Sequence, residues 1–208
     1  MLTAHWLNLD TALGAVASSY YFVRLLQVTL PAVVALTLAL AVLAIYNFDH
    51  LMDAARLTGQ ALTARHRFYQ QNFRWLVYYQ VVLMALLMTL SFLLPHAVLR
   101  IGVGLGGLVL IYFLLLFGRR ASGFLFKEVF IAVVFVLGAL LPPLSLAHAG
   151  TWPVIIRPAG QFILLAVANT LLFAWYDYEV DLQETHTSIA LTLGKKRLKR
   201  LVYAIFMV

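Results

Sequence analysis

The chain has 208 residues, of which 63% are hydrophobic and only 11% are charged. This composition excludes a soluble globular domain and predicts an all-α polytopic transmembrane bundle, because each helical crossing takes about 20 mostly apolar residues. The formal net charge of +7 is explained by basic loops beside anionic lipid headgroups, and no nucleic-acid partner is expected. Cysteine is absent, so any metal site must use oxygen or histidine ligands.

Apolar segments follow one another along the whole chain, and each is a candidate membrane helix. They lie at residues 9–27, 28–48, 75–94, 98–117, 126–147, 160–176 and 200–208. The last segment is too short to cross a bilayer, so we expect six complete helices and a C-terminally incomplete seventh. No linker or appended soluble segment interrupts this pattern, which predicts one transmembrane domain over residues 1–208.

The distribution of basic residues predicts the orientation in the membrane. Twelve of the 15 Lys and Arg residues fall in three connections on one side of the predicted bundle: Arg56, Arg65, Arg67, Arg74, Arg119, Arg120, Lys127, Lys195, Lys196, Arg197, Lys199 and Arg200. The opposite side holds only Arg24, Arg100 and Arg157, together with an expected Pro-rich turn at residues 141–143. Because cytoplasmic loops are enriched in Lys and Arg, we expect an integral protein of a cell inner membrane with its basic loops in the cytoplasm.

Two short carboxylate clusters stand where an apolar run meets a basic stretch. Asp49 and Asp53 form the first pair, and Asp177 and Asp181 form the second. Residues spaced i, i+4 share one face of a helix, so each pair presents two carboxylates to one point. An Asp facing hydrocarbon costs about 2.5 to 3.5 kcal/mol, which indicates a function, and Mg²⁺ commonly binds through one or two carboxylates. Both clusters are therefore predicted magnesium sites facing the cytoplasm, whereas His50 and the loop residue His66 are expected to be solvated.

The second cluster and the residues after it resemble a known motif. Asp177-Tyr-Glu-Val-Asp181, followed by Thr187-Ser188-Ile189-Ala190 and Leu193-Gly194-Lys195-Lys196, is similar to the second Asp-rich motif of the UbiA superfamily of intramembrane prenyltransferases. The position of the first cluster after the second helix and the basic residues between the fourth and fifth helices resemble that family too. The resemblance covers roughly residues 5–208. It implies a bundle of nine helices around a lipid-open cavity, of which this chain would supply the first six and part of the seventh.

The resemblance also implies a reaction, which is Mg²⁺-dependent transfer of a prenyl group from a prenyl diphosphate to a lipophilic acceptor, with an aromatic acceptor as the family-level expectation. The four aspartates would be catalytic as metal ligands. Basic side chains suited to the diphosphate are Arg65, Arg67, Arg119, Arg120 and Lys127. Residues expected to line the cavity are Tyr46, Asn169, Phe173 and Tyr176, the aromatic ones offering ring faces to an allylic cation.

The first cluster departs from the family pattern Asn-Asp-x-x-Asp-x-x-x-Asp. Ile45 and Tyr46 occupy the positions of the Asn and the leading Asp, and Asn47 would project from a different side of the helix. A non-catalytic UbiA-like protein that binds lipid or diphosphate, or acts as a scaffold subunit, therefore stays open. The sequence motif of CDP-alcohol-type transferases is absent from this chain, which disfavours that class of enzyme. A transporter is disfavoured because the charges cluster at the membrane rim.

Overall fold

The computed structural model describes residues 5–57, 59, 61–118, 127–148, 150–184 and 188–207. Within these ranges the regular secondary structure is helical and contains no strand, which confirms the predicted all-α class. The helices are α1 (Leu9–Leu26), α2 (Ala32–Arg56), α3 (Ala64–Gln71), α4 (Phe73–Ser91), α5 (His96–Gly118), α6 (Lys127–Ser145), α7 (Trp152–Tyr176), α8 (Tyr178–Glu184), α9 (Ile189–Leu193) and α10 (Lys195–Phe206).

Five of these helices, α2, α4, α5, α6 and α7, are long and apolar enough to cross a membrane. They support the prediction of an integral membrane protein. The first predicted segment is also helical, but α1 is not one of the five found in the described ranges. Asp10 and Arg24 lie within its 18 residues and lower its hydropathy. The total of nine helices stays a prediction.

The contacts divide the chain into two compact units. The first comprises Met1–Arg100 and Ala139–Ala147, and in it α2 packs against α1, α3 and α4. The second comprises Ile101–Gly138 and His148–Val208, and in it α7 packs against α9 and α10. Each unit buries its own apolar cluster. A single domain over residues 1–208 stays a prediction.

Helix α2 continues to Arg56, beyond the predicted end of the apolar run at residue 48. Its last turns are sustained by Leu51, Met52 and Ala54, which are good helix formers and are all buried. Tertiary packing therefore extends the helix past the point where hydropathy falls. As a result, both carboxylates of the first cluster lie within the last two turns of α2.

Proline residues lie inside two helices where the sequence predicts other boundaries. The expected turn at residues 141–143 is wrong, because Pro142 and Pro143 lie in the last turns of α6. The hydroxyl of Ser145 donates to the carbonyl of Pro142 at 2.7 Å, which satisfies one of the last-turn carbonyls that lack an intrahelical N–H partner. Helix α7 begins at Trp152, eight residues before the predicted apolar segment, with a proline at its start, where the missing N–H costs nothing.

The basic run before the last predicted segment is helical as well. Helix α10 joins it to the apolar residues that follow, and Leu198 and Val202, one turn apart, are buried against the second unit's core. The basic residues Lys196 and Arg197 are exposed. The i, i+4 spacing of the buried residues thus gives α10 one apolar face and one basic face.

Candidate functional site

The first acidic cluster forms a group of three potential metal ligands at the end of α2. One ligand atom each from Asp49, His50 and Asp53 can be chosen so that all three lie within 4.8 Å of one another. Both aspartates are half-buried, whereas His50 is only 7% exposed. The group could hold a metal ion. The i, i+4 spacing predicts that the carboxylates converge, and in the described structure they do so.

His50 is buried at the end of α2. Its ring packs edge-on against Tyr69 of α3, with ring centroids 5.1 Å apart. Among the described residues, neither Nδ1 nor Nε2 of His50 has a partner. A neutral imidazole carries one donor and one acceptor, and leaving such a group buried and unsatisfied costs about 1 to 3 kcal/mol. The expectation that His50 and His66 are solvated is therefore wrong, since His66 of α3 is buried as well.

Helix α3 covers this group, and the local sequence explains why it forms there. Thr63 is the N-cap, and its hydroxyl accepts a hydrogen bond from the backbone N–H of His66 at 3.1 Å. At the other end, Gln70 holds the preceding loop: its amide group donates to the carbonyl of Gly59 at 2.9 Å and accepts from the N–H of Ala61 at 3.0 Å. The polar stretch from Asp53 to Arg74 predicts a short helix that includes residues 63–68, and the described structure confirms it.

Tyr69 attaches α3 to the rest of the first unit. It is 1% exposed, and its hydroxyl donates to the backbone carbonyl of Trp6 at 3.2 Å. Burial raises the pKa of the Tyr69 hydroxyl above its usual range. With α3 held in this way, the half-buried Arg65 lies within electrostatic range of His50 and Tyr69. Arg67, the other predicted phosphate ligand of α3, is exposed.

Asn47 faces α4 and does not join the ligand group. Its side-chain amide donates to Oε1 of Gln80 at 2.8 Å and to the backbone carbonyl of Leu76 at 3.3 Å. Asn47 is fully buried. The prediction that it projects from another side of the helix is confirmed, so it does not replace the Asn of the family pattern.

The second acidic cluster spans the junction of two helices. Asp177 is the C-cap of α7 and is exposed, while Asp181 lies in the first turn of α8 and is half-buried. The backbone N–H of Asp181 donates to the carbonyl of Asp177 at 2.8 Å, which continues the helical path across the junction. Metal binding by this pair stays a prediction.

Glu128 is a buried carboxylate to which the sequence analysis assigns no role. It stands in the first turn of α6 and is 6% exposed. Its Oε1 accepts a hydrogen bond from the backbone N–H of Ile189 at 3.1 Å, and its backbone carbonyl accepts one from the hydroxyl of Thr170 at 3.2 Å. Within the described part of the chain, its Oε2 and the hydroxyl of Ser188 are buried without partners. A lone acid at the start of an apolar run is the sequence signal for this residue.

The other predicted site residues have varied surroundings. Arg119 and Arg120 lie outside the described residues. Lys127 begins α6 and is half-buried. Tyr46 is half-buried within electrostatic range of Asp49. The predicted cavity residues of α7 are exposed, namely Asn169, Phe173 and Tyr176. The roles of all these residues stay predictions.

Comparison of the chain with protein-family models, with characterised proteins and with solved structures finds no match. The resemblance to UbiA prenyltransferases thus stays a prediction from sequence motifs.

Proposed function

We propose that this protein is a UbiA-like membrane enzyme that transfers a prenyl group from a prenyl diphosphate to a lipophilic acceptor in a Mg²⁺-dependent reaction. The observation that carries the proposal is the convergence of Asp49, His50 and Asp53 at the end of a candidate membrane helix. A ligand group at that position would hold the charged head of a substrate at the membrane surface while its prenyl tail stays in hydrocarbon.

The chemistry of the residues fits a diphosphate with a divalent cation. Asp49 and Asp53 would hold the cation, which when bound supplies charge neutralisation to the leaving diphosphate. Arg65 lies close to this group, and a guanidinium can bind two phosphate oxygens at once. In the second unit, Asp177 and Asp181 would hold a cation of their own. The further predicted diphosphate contacts are Arg67, Arg119, Arg120 and Lys127.

Aromatic side chains would protect the reactive intermediate. Loss of diphosphate leaves an allylic cation, which must be kept from water until it meets the acceptor. Tyr46 lies one turn before Asp49 and could offer its ring face to that cation. Phe173 and Tyr176 lie one turn and one residue before Asp177 and could do the same at the second acidic cluster, where Asn169 would contribute a polar group.

We infer the orientation from the charge distribution. The loops that contain most of the Lys and Arg residues would face the cytoplasm, and both acidic clusters would lie on that side of a cell inner membrane. A soluble prenyl diphosphate could then reach the site from the cytoplasm, while the acceptor would arrive through the lipid.

The proposal is tested with the full gene product in lipid. Release of pyrophosphate from radiolabelled geranyl, farnesyl and geranylgeranyl diphosphates is measured with and without Mg²⁺, with membrane extracts as acceptors. We expect Mg²⁺-dependent release that is lost in Asp49→Asn and in Asp177→Asn and unchanged in Arg24→Ala, the control on the opposite side. Release that persists in both Asp variants would contradict the assignment of the metal sites.

A second candidate is a non-catalytic protein that binds lipid or diphosphate, or acts as a scaffold subunit. It is favoured by Ile45 and Tyr46, which replace two polar positions of the family motif, and by Asn47, whose amide is already bonded to α4. Metal-dependent binding of a diphosphate without release of pyrophosphate from any donor would favour this candidate over the enzyme.

A further inference from the structure

The structure joins a histidine to what the sequence analysis predicts to be an oxygen-only cation site. His50 follows Asp49 directly and lies on the buried side of α2. Its ring nitrogens have no protein partner in the ranges that the structure describes, and one of them is within 4.8 Å of the chosen oxygens of Asp49 and Asp53. The contact with Tyr69 accounts for the packing of the ring, but an edge-on aromatic contact does not satisfy both nitrogens.

We propose that His50 is the third ligand of the cation site formed with Asp49 and Asp53, and that this site prefers a divalent first-row metal ion such as Mn²⁺, Fe²⁺ or Zn²⁺ over Mg²⁺. The inference rests on the site of the proposed function and changes the ion expected at its first acidic cluster from Mg²⁺ to a transition metal, but it does not require prenyl transfer. Imidazole suits transition metals, whereas Mg²⁺ favours oxygen ligands and retains water.

The dimensions of the group are compatible with such an ion. Ligand atoms about 2.0 to 2.2 Å from one metal ion stand at most about 4.4 Å apart. Three ligands of one ion cannot all reach that maximum, and in tetrahedral geometry they stand about 3.3 to 3.6 Å apart. The observed limit of 4.8 Å therefore requires each ligand atom to move by at most about 1 Å, which side-chain rotation can supply. The half-buried aspartates leave a path for the ion, while burial of the histidine keeps its second nitrogen away from water.

The test measures metal binding directly. The full chain carrying Asp177→Asn and Asp181→Asn, which removes the second predicted site, is stripped of metal in lipid nanodiscs and titrated with Mn²⁺, Zn²⁺ and Mg²⁺. We expect Mn²⁺ to bind at least about tenfold more tightly than Mg²⁺, and Zn²⁺ to displace Mn²⁺ in the order of affinities usual for such ligands. Pulsed electron paramagnetic resonance of the Mn²⁺-bound protein should show modulation from a coordinated ¹⁴N nucleus.

Three histidine variants locate the nitrogen ligand. In His50→Gln the ¹⁴N modulation should disappear, and the Mn²⁺ affinity should fall by at least about tenfold. Mutation of a residue that only hydrogen-bonds to a metal ligand can already cost that much affinity. The ¹⁴N modulation and the Mn²⁺ affinity should both be unchanged in His96→Gln, because His96 is an exposed residue at the start of α5. In His66→Gln, which alters the neighbouring buried histidine of α3, the modulation should remain. Thermal unfolding of each variant without metal reports on folding, and the spectrum of the parent protein tests nitrogen ligation even where a variant fails to fold.

The outcomes separate this inference from the proposed function. Mn²⁺ binding without ¹⁴N modulation, or modulation lost only in His66→Gln, would overturn the His50 ligand and leave an oxygen-based site in place. Failure to bind any of the three ions would overturn the site in both proposals. Nitrogen-ligated Mn²⁺ in this variant, together with no pyrophosphate release from any donor by the unsubstituted protein, would support the metal assignment and contradict the enzyme.

Discussion

At the scale of single residues, buried polar side chains reveal how the first unit is held together. Asn47 and Tyr69 are both almost completely buried, and each makes a long-range hydrogen bond, to α4 and to the N-terminal segment respectively. Because little water reaches such positions, each bond resists separation of the elements that it joins. His50 lies against Tyr69 but has no comparable bond within the described chain. The contrast distinguishes two structural residues from a potential ligand.

Asn47→Ala should destabilise the first unit without removing a ligand of the metal group. The substitution deletes two hydrogen bonds and leaves the Gln80 side chain without its donor, so we expect a loss of about 1 to 2 kcal/mol. Thermal or detergent-induced unfolding measures this loss of stability. Gln80→Leu together with Asn47→Leu should recover part of the loss, because an apolar pair leaves no unsatisfied polar group. An Asn47→Ala variant of unchanged stability would contradict this role.

At the scale of elements, short helices position the residues that matter for function. Helix α3 has only eight residues, too few to be stable alone. Its Thr63 cap, the loop contacts of Gln70 and the buried Tyr69 compensate for that length. In the second unit, the Glu128 carboxylate performs a similar task for α9, which follows the second acidic cluster.

Thr63→Ala should loosen α3 and the residues that it carries. Loss of an N-cap side chain costs about 1 kcal/mol, and we expect faster hydrogen exchange across residues 64–71. Thr89→Ala is the matched control, because Thr89 is exposed and its hydroxyl donates to the carbonyl of Ala85 in its own helix. Equal protection of α3 in the two variants would show that the cap does not contribute.

Glu128→Ala should destabilise the second unit by about 1 to 3 kcal/mol, because the backbone N–H of Ile189 would lose its acceptor in a buried position. Glu128→Gln retains an oxygen acceptor and should be closer to the parent protein. Thermal unfolding compares the stability of the two variants with that of the parent protein. The control is Glu179→Gln, which breaks an exposed ion pair with Lys195 and should have an effect below about 1 kcal/mol. Similar losses for Glu128→Ala and Glu179→Gln would contradict the buried role.

At the scale of the whole molecule, the five apolar helices and the distribution of basic residues make the topology testable. Helix α4 lies between a basic connection, which includes α3, and the apolar connection to α5. The positive-inside rule predicts that these two ends lie on opposite sides of the membrane, with the basic end in the cytoplasm. Because the chain contains no cysteine, a single introduced cysteine supplies its only thiol, and labelling of that thiol reports on one position.

Gln71→Cys and Phe92→Cys place one thiol at each end of α4, at exposed positions. We expect a membrane-impermeant maleimide to label Gln71→Cys in inside-out vesicles and Phe92→Cys in right-side-out vesicles, because the basic connection should face the cytoplasm. Labelling of both variants from the same side would show that α4 does not span the membrane. The reverse pattern would contradict the predicted orientation of the acidic clusters.

Much of the candidate site was accessible from the sequence, and the rest depended on packing. Convergence of Asp49 and Asp53 follows from helical spacing, which is a local property. The burial of His50 does not follow from local spacing, because it requires α3 to pack over the end of α2. A histidine beside two acids in a polar stretch is usually solvated, and only the cover provided by Tyr69 makes this one different.

The sequence by itself determined the membrane class, the approximate positions of the long helices and the pairing of carboxylates, since hydropathy and helical period act over one or a few turns. Tertiary structure alone decided that α2 extends to Arg56, that Asn47 binds α4, and that Glu128 holds the start of α9. The two last contacts join residues 33 and 61 positions apart. Such partners are selected by packing between helices, and no local pattern in the chain specifies them.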